Sequence, residues 1–159
     1  MSITIYTDGS AKGNPGPGGF GIVLLSNEGH RKEVFSGFRK TTNNRMELLS
    51  VIVALELLKN PPLNVVIFSD SKYVVDAVEK KWLFNWEKNN FVRKKNIDLW
   101  KRFLFVYRKH KVSFMWIKGH DNNVENERCD FLAVSAAKDK KNHRVDVGYE
   151  NSSECSSLF

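Results

Sequence analysis

Ile3 and Ile5 alternate with Thr4 and Tyr6 in a period of two that runs out at Asp8-Gly9-Ser10, which predicts a strand over residues 2 to 8 with Asp8 at its C-terminal end. Turn chemistry follows in Gly13-Asn14-Pro15-Gly16-Pro17-Gly18-Gly19, and two further runs, Phe20 to Leu25 and Lys32 to Phe38, read as strands completing an antiparallel meander. The period then changes. From Asn44 to Lys59 the residues Leu48, Leu49, Ile52 and Leu55 recur at helical spacing until Asn60-Pro61-Pro62 ends the segment. Val65 to Phe68 is a short β-branched and aromatic strand bounded by Ser69-Asp70-Ser71, and Tyr73, Val74, Ala77 and Val78 restart the helical pattern. A helix from about residue 96 to 109, a strand from Val112 to Ile117 and a helix from about residue 126 to 138 complete the order βββαβα(α)αβα. That order predicts an α/β domain with a five-stranded mixed sheet, an antiparallel meander plus parallel strands, flanked by helices. The domain is expected over residues 1–140; residues 141–159 turn charged and then serine-rich, which reads as a partly disordered C-terminal tail.

Composition narrows the class. The 159 residues suit one domain, and 42% hydrophobic with 12% aromatic content excludes wholesale disorder. The longest apolar stretch, Leu48 to Leu58, is broken by Ser50 and Glu56 and falls short of the roughly 20 residues of a membrane span. The N-terminus has neither the basic segment nor the apolar stretch of a secretion signal, so a cytoplasmic protein without membrane partners is expected. Cys129 and Cys155 are too few for a disulfide framework and lack metal-motif spacing. Lys plus Arg outnumber Asp plus Glu by 25 to 18, a net charge of +7. The excess is concentrated: between Lys80 and Lys118 twelve basic residues stand against Glu87 and Asp98, with Trp82, Phe84, Trp86 and Phe91 interleaved. Rings beside cations suit a sugar-phosphate backbone, and equally suit a solvated helix face over core aromatics.

Against this basic background four carboxylates stand out. Asp8 has an ordinary reading as a turn former, Glu47 as part of an Asn44-Arg45-Met46-Glu47 capping box, Asp70 as a helix N-cap, and Asp130 as a charge at the positive end of the last helix. As a set they mean more. Asp8 and Asp70 both fall at predicted strand ends, where open α/β sheets place ligands, and Glu47 and Asp130 lie near the starts of helices able to flank that edge. Carboxylates gathered in one crevice repel and hold their protons more tightly unless cations intervene. Oxygen donors without His or Cys at ligand spacing select hard cations such as Mg²⁺ or Mn²⁺, and two such ions can clamp the attacking and leaving oxygens of a phosphoryl displacement.

The chain resembles a type 1 ribonuclease H of the bacterial kind. The resemblance rests on Tyr6-Thr7-Asp8-Gly9-Ser10, the Gly13 to Gly19 run, Thr41-Thr42-Asn43-Asn44-Arg45-Met46-Glu47-Leu48, Ser69-Asp70-Ser71, Trp116-Ile117-Lys118-Gly119-His120 and Glu125-Asn126-Glu127-Arg128-Cys129-Asp130. It implies a ribonuclease H-like fold and Mg²⁺-dependent endonucleolytic hydrolysis of the RNA strand of an RNA–DNA hybrid, leaving 3′-hydroxyl and 5′-phosphate ends. It also implies that Asp8, Glu47, Asp70 and Asp130 hold two metal ions, with Mn²⁺ as a substitute, and that His120 assists proton transfer or product departure from a loop. Among substrate contacts it implies Asn14 and Asn43 on minor-groove hydroxyls or phosphates, Asn44 on a base or sugar edge, Thr42 and Arg45 near a DNA phosphate pocket, and Trp82 and Trp86 on a basic protrusion over Lys80 to Lys95. Lys94 and Lys95 belong to that protrusion. Lys72 stands where some members have Gln, so a minor-groove contact there becomes a phosphate contact. The glycine run lacks the pattern of a nucleotide phosphate loop. A monomeric enzyme is expected. The rival reading is a catalytically silent nucleic-acid-binding module on the same fold, favoured only by an incomplete acidic set; a third is the same catalytic fold as part of a reverse transcriptase, against which the start at Met1 is taken to speak.

Overall fold

The computed structural model describes residues 1–119 and 121–152. Five strands form one sheet: β1 (Ser2–Ala11), β2 (Gly16–Ser26), β3 (Arg31–Thr41), β4 (Asn64–Ser69) and β5 (Lys111–Trp116), in the spatial order β3-β2-β1-β4-β5. The β1/β2 and β2/β3 pairs are antiparallel, whereas β1/β4 and β4/β5 are parallel. The mixed sheet expected from the hydrophobic pattern is therefore present. The helices are α1 (Asn43–Glu56), α2 (Lys72–Glu79), α3 (Trp82–Lys88), α4 (Ile97–Tyr107), α5 (Val124–Lys138) and the short α6 (Val147–Glu150).

The two faces of the sheet are set by the period of two along β1. Ile3, Ile5 and Thr7 point to one face and are buried beneath α1, itself backed by α4; Met46, Leu48, Ile52, Leu55, Ile67, Trp100 and Phe103 fill the space between with almost no exposure. Tyr6 and Asp8 point to the other face, which α5 covers. That helix lies very close to the strands. A Cβ on Gly21 would stand 2.4 Å from the Cys129 carbonyl oxygen, and one on Gly37 would stand 2.1 Å from that of Ala136. Only glycine permits such an approach.

Several boundaries differ from the periodicity. β1 continues beyond Asp8 to Ala11, because Gly9, Ser10 and Ala11 keep pairing with Phe20, Gly19 and Gly18 in the turn's partner strand. α5 begins at Val124 rather than near residue 126, with the Asn123 side chain accepting from the Asn126 N–H as its N-cap. Residues 139–152, which composition assigns to a tail from 141 onward, are packed as far as they are described. Arg144 bridges to Phe38 of β3, donating its N–H to Gly37 O and accepting from Arg39 N. Asp146 and Tyr149 are buried. The reason is an ion pair that composition does not announce: Asp146 accepts from Nε and Nη2 of the buried Arg45 at 2.8 and 2.9 Å, and from Thr41 Oγ1 at 2.7 Å.

Candidate active site

The parallel register of β1 and β4 pairs Tyr6 with Phe68, and the two rings stack with centroids 4.9 Å apart on the α5 face. Two residues further along each chain, on the same face, come Asp8 and Asp70. β4 ends at Ser69, so Asp70 leaves the sheet while Asp8 is still inside it. α1 contributes Glu47 because Gly9 has no side chain: a Cβ there would lie 2.4 to 2.7 Å from the backbone of Met46 and Glu47. As a result one carboxylate oxygen from each of Asp8, Glu47 and Asp70 lies within 4.8 Å of the others. Asp130 approaches from α5, near enough for its charge to bear on Asp8, but it is not one of the three acids grouped within 4.8 Å. Gly21, which pairs with Asp8 across the sheet, is what lets that helix approach.

The ordinary roles open to these acids are taken by neighbours. Thr42 caps α1, its hydroxyl accepting from Arg45 N at 3.3 Å, so Glu47 is not needed for a capping box. Ser71, not Asp70, caps α2. Asp130 is the seventh residue of α5, beyond its first turn. Asp8 is 6% exposed within a strand rather than in a turn.

The electrostatics follow from crowding. Burial, followed by the charges of Asp70 and Asp130, pushes the Asp8 carboxyl up to about 8, so that it keeps its proton at neutral pH. Burial and the charges of Asp8 and Asp70 likewise hold the Glu47 carboxyl well above the usual range. Glu47 Oε2 is buried with no hydrogen-bond partner among the described residues, which is costly for an acceptor unless a ligand meets it. An orphaned oxygen inside an all-oxygen donor set fits a hard divalent cation. Around the cluster, Trp116 donates from Nε1 to the Asp70 carbonyl at 3.2 Å and carries Lys72 Nζ 4.8 Å above its ring. A Cβ on Gly119 would stand 2.8 Å from Asp70 Oδ2, which explains the glycine at the rim. His120 lies outside the described residues.

The chain matches the family described as RNase H over residues 1–138. It belongs to the ribonuclease H family. A ribonuclease H of Desulforamulus reducens is 56% identical over 150 residues, covering 91% of this chain and 92% of that protein. Among solved structures, a type 1 enzyme described as carrying the type 2 active-site motif, LC9-RNase H1, superposes with a TM-score of 0.78 at 28% identity over 98% of this chain and 83% of its own. LC11-RNase H1, solved in complex with an RNA/DNA hybrid, gives 0.65 at 27% identity over 85% and 96%.

The substrate contacts expected of a ribonuclease H are dispersed around this crevice. Asn14 and Asn43 form a linked pair, Asn14 Oδ1 accepting from Asn43 N at 2.9 Å while Asn43 Oδ1 accepts from Ala11 N, so the glycine-rich turn is tied to the start of α1. Asn44 is exposed beside them. Together with Thr42, Lys95, Asn96 and Tyr149, Asn14 and Asn44 line a cleft of about 270 Å³. Sequence reasoning missed Asn96, a residue at positive φ whose Oδ1 accepts from Arg45 at 3.3 Å; its only signal was its place at a helix start. Arg45 is placed differently from the expectation. Only 3% exposed, its guanidinium is occupied by Asp98, Asp146 and Asn96, which makes it an internal anchor for the end of the chain. The basic protrusion is α3 and the turns after it. Trp82 is exposed there beneath Lys80, whereas Trp86 packs edge-on against the buried Trp100 at 5.7 Å and carries Lys94 on its other side at 4.7 Å. Trp86 thus supports the protrusion from below. No helix of the described residues is long and apolar enough to cross a membrane.

Proposed function

We propose that this chain is an endonuclease that hydrolyses the RNA strand of RNA–DNA hybrids using two divalent cations, Mg²⁺ or in its place Mn²⁺, held by Asp8, Glu47, Asp70 and Asp130. The ends left are a 3′-hydroxyl and a 5′-phosphate, and the enzyme acts as a cytoplasmic monomer. One observation carries this reading: carboxylates from β1, α1 and the turn after β4 share one small volume, with Asp8 forced up to about 8 and a Glu47 oxygen without a partner among the described residues. Such a set gains stability when positive charge enters it. The chemistry supplied by the ions, when bound, is activation of a water and stabilisation of the departing 3′-oxygen.

The chain's own residues orient that chemistry. Trp116 fixes the Asp70 backbone, Gly9 and Gly21 let α1 and α5 deliver Glu47 and Asp130, and the Asn14–Asn43 pair presents amides to the minor groove, where the 2′-hydroxyl distinguishes RNA from DNA. Lys72, Lys94, Lys95 and the exposed Trp82 hold the backbone without choosing sequence. His120, which lies outside the described residues, assists proton transfer or product departure. The complex of LC11-RNase H1 with an RNA/DNA hybrid supports the same substrate here.

The test incubates labelled RNA–DNA hybrid, duplex DNA and duplex RNA separately with the protein, with and without Mg²⁺. Cutting confined to the RNA strand of the hybrid and dependent on metal is the expected result. Asp70→Asn is expected to lower turnover at least a hundredfold, beyond what losing an outer partner of a ligand costs, while hybrid binding persists. Unchanged turnover in that variant removes the assignment.

A further inference from the structure

A second cleft, of about 460 Å³, lies beside the outer face of α5, and none of the four carboxylates lines it. Its walls are mostly apolar, from Ala11, Pro17, Val134 and Ala137, and its rim carries Lys12, Lys138 and Lys140. All three lysines are exposed, and none has an ion-pair partner among the described residues. Asp139, between Lys138 and Lys140 in sequence, accepts from Asn142 Nδ2 at 2.7 Å. The cleft is built on chain elements that also serve the site. Lys12 sits on the turn that carries Asn14, and Lys138 lies eight residues beyond Asp130 on the same helix, about 12 Å along its axis. Seven residues before Lys138, on the same stripe of the helix, Phe131 is 58% exposed, with the Arg128 guanidinium 5.3 Å from its ring.

We infer that this cleft takes an unpaired nucleotide of the RNA strand where that strand runs past the end of the hybrid, the base against the apolar walls and the phosphates on Lys12, Lys138 and Lys140. A paired strand presents phosphates to a protein and keeps its bases stacked inside, so it needs no apolar recess. A splayed nucleotide needs both a surface for its flat face and cations for its backbone. Besides the lysines only Ser10 brings a polar side chain to the cleft, and its one hydroxyl, able to donate or accept, does not tell one base from another.

The inference rests on the proposed hybrid substrate, and its test is read without catalysis. Binding of a short blunt hybrid and of the same hybrid with an RNA extension of about six nucleotides at either end is measured by fluorescence anisotropy in EDTA. The wild-type protein is expected to bind an extended hybrid roughly tenfold more tightly than the blunt one, and K12Q/K138Q/K140Q to lose that gain, with its salt slope shallower by about 2, three single-strand phosphates at about 0.7 each. Blunt-hybrid binding, its turnover with Mg²⁺ and the melting temperature stay as in the wild type. A gain that survives the triple substitution overturns the inference, as does equal weakening of blunt and extended hybrids, which places duplex phosphates in the cleft. Failure of the wild type to cut any hybrid with Mg²⁺ overturns the proposed function instead.

Discussion

Asp146→Asn isolates the anchor at the end of the chain. Asp146 is 6% exposed and meets Arg45 through two hydrogen bonds, with a third contact from Thr41 Oγ1 and a fourth from Tyr149 N at 3.2 Å. The substitution keeps the shape but deletes the charge, and turns an NH₂ group toward donors. Breaking a buried ion pair by neutralising one partner costs about 3–5 kcal/mol; because Asp98 still holds the other side of the guanidinium, about 3 kcal/mol is expected here. With a urea slope of about 1–3 kcal/mol/M for small proteins, the unfolding midpoint should fall by about 1–3 M. Urea titration by tryptophan fluorescence measures it. Arg45→Met/Asp146→Leu, which removes both charges, should recover most of the loss, since apolar replacements of buried pairs are often neutral. Acid sharpens the same test. Arg45 holds the Asp98 carboxyl below its usual range, so its contribution is present above the ordinary aspartate range and fades as pH falls through the lowered value. In the variant this contribution from Asp98 is the carboxylate support left to Arg45, and it is lost only as pH falls through that lowered value. A loss under about 1 kcal/mol, or a raised KM for hybrid with stability intact, would refute the anchor and return Arg45 to the substrate surface.

Three further outcomes are expected. In metal-free protein the folded Asp8 titrates near 8 against an ordinary value near 3.9, so its favourable protonation is complete at low pH and is lost as pH rises through about 8; the melting temperature should fall from about pH 5 to about pH 9, and added Mg²⁺ should reverse the fall, whereas a flat profile contradicts the crowding. Gly21→Ala drives a methyl into the Cys129 carbonyl at 2.4 Å and Leu132 Cβ at 2.7 Å; calorimetry should show about 1–3 kcal/mol lost, and kcat should fall even where the protein is folded, because the displaced α5 withdraws Asp130. Removing the charges of Lys94 and Lys95 should flatten the dependence of hybrid affinity on salt by about 1.8 in logarithmic slope, measured by anisotropy, with no change in sequence preference.

Much of the architecture is legible in local pattern. The shift from a period of two to one of 3.6 after Thr41, and back again at Asn64, separates meander, helix and parallel strand without help from tertiary contacts. The acids were visible as a set, but their ordinary roles could be dismissed only once Thr42, Ser71 and Asn123 were seen to cap the helices. The approach of α5 depends on Gly19, Gly21 and Gly37, whose spacing in sequence looks like turn chemistry running into strands. Least legible was the segment after Lys138. Its order comes from long-range contacts, the Arg45–Asp146 and Arg39–Glu150 ion pairs and the bridge of Arg144 to β3, and no periodicity records such pairings. Trp86 misleads for a related reason: composition shows an aromatic among lysines, and only packing shows which side of the ring meets Trp100.

The Arg45–Asp146 pairing also constrains when the protein can be finished on the ribosome. At about 5–20 residues per second, the 101 residues between them take about 5–20 s to synthesise, during which α1 carries a guanidinium with its main partner still untranslated. The helix that bears Glu47 is thus among the earlier elements to be made and among the last to be secured, so nascent chains stalled short of residue 146 should hold the meander in place while the acidic crevice is still loosely assembled.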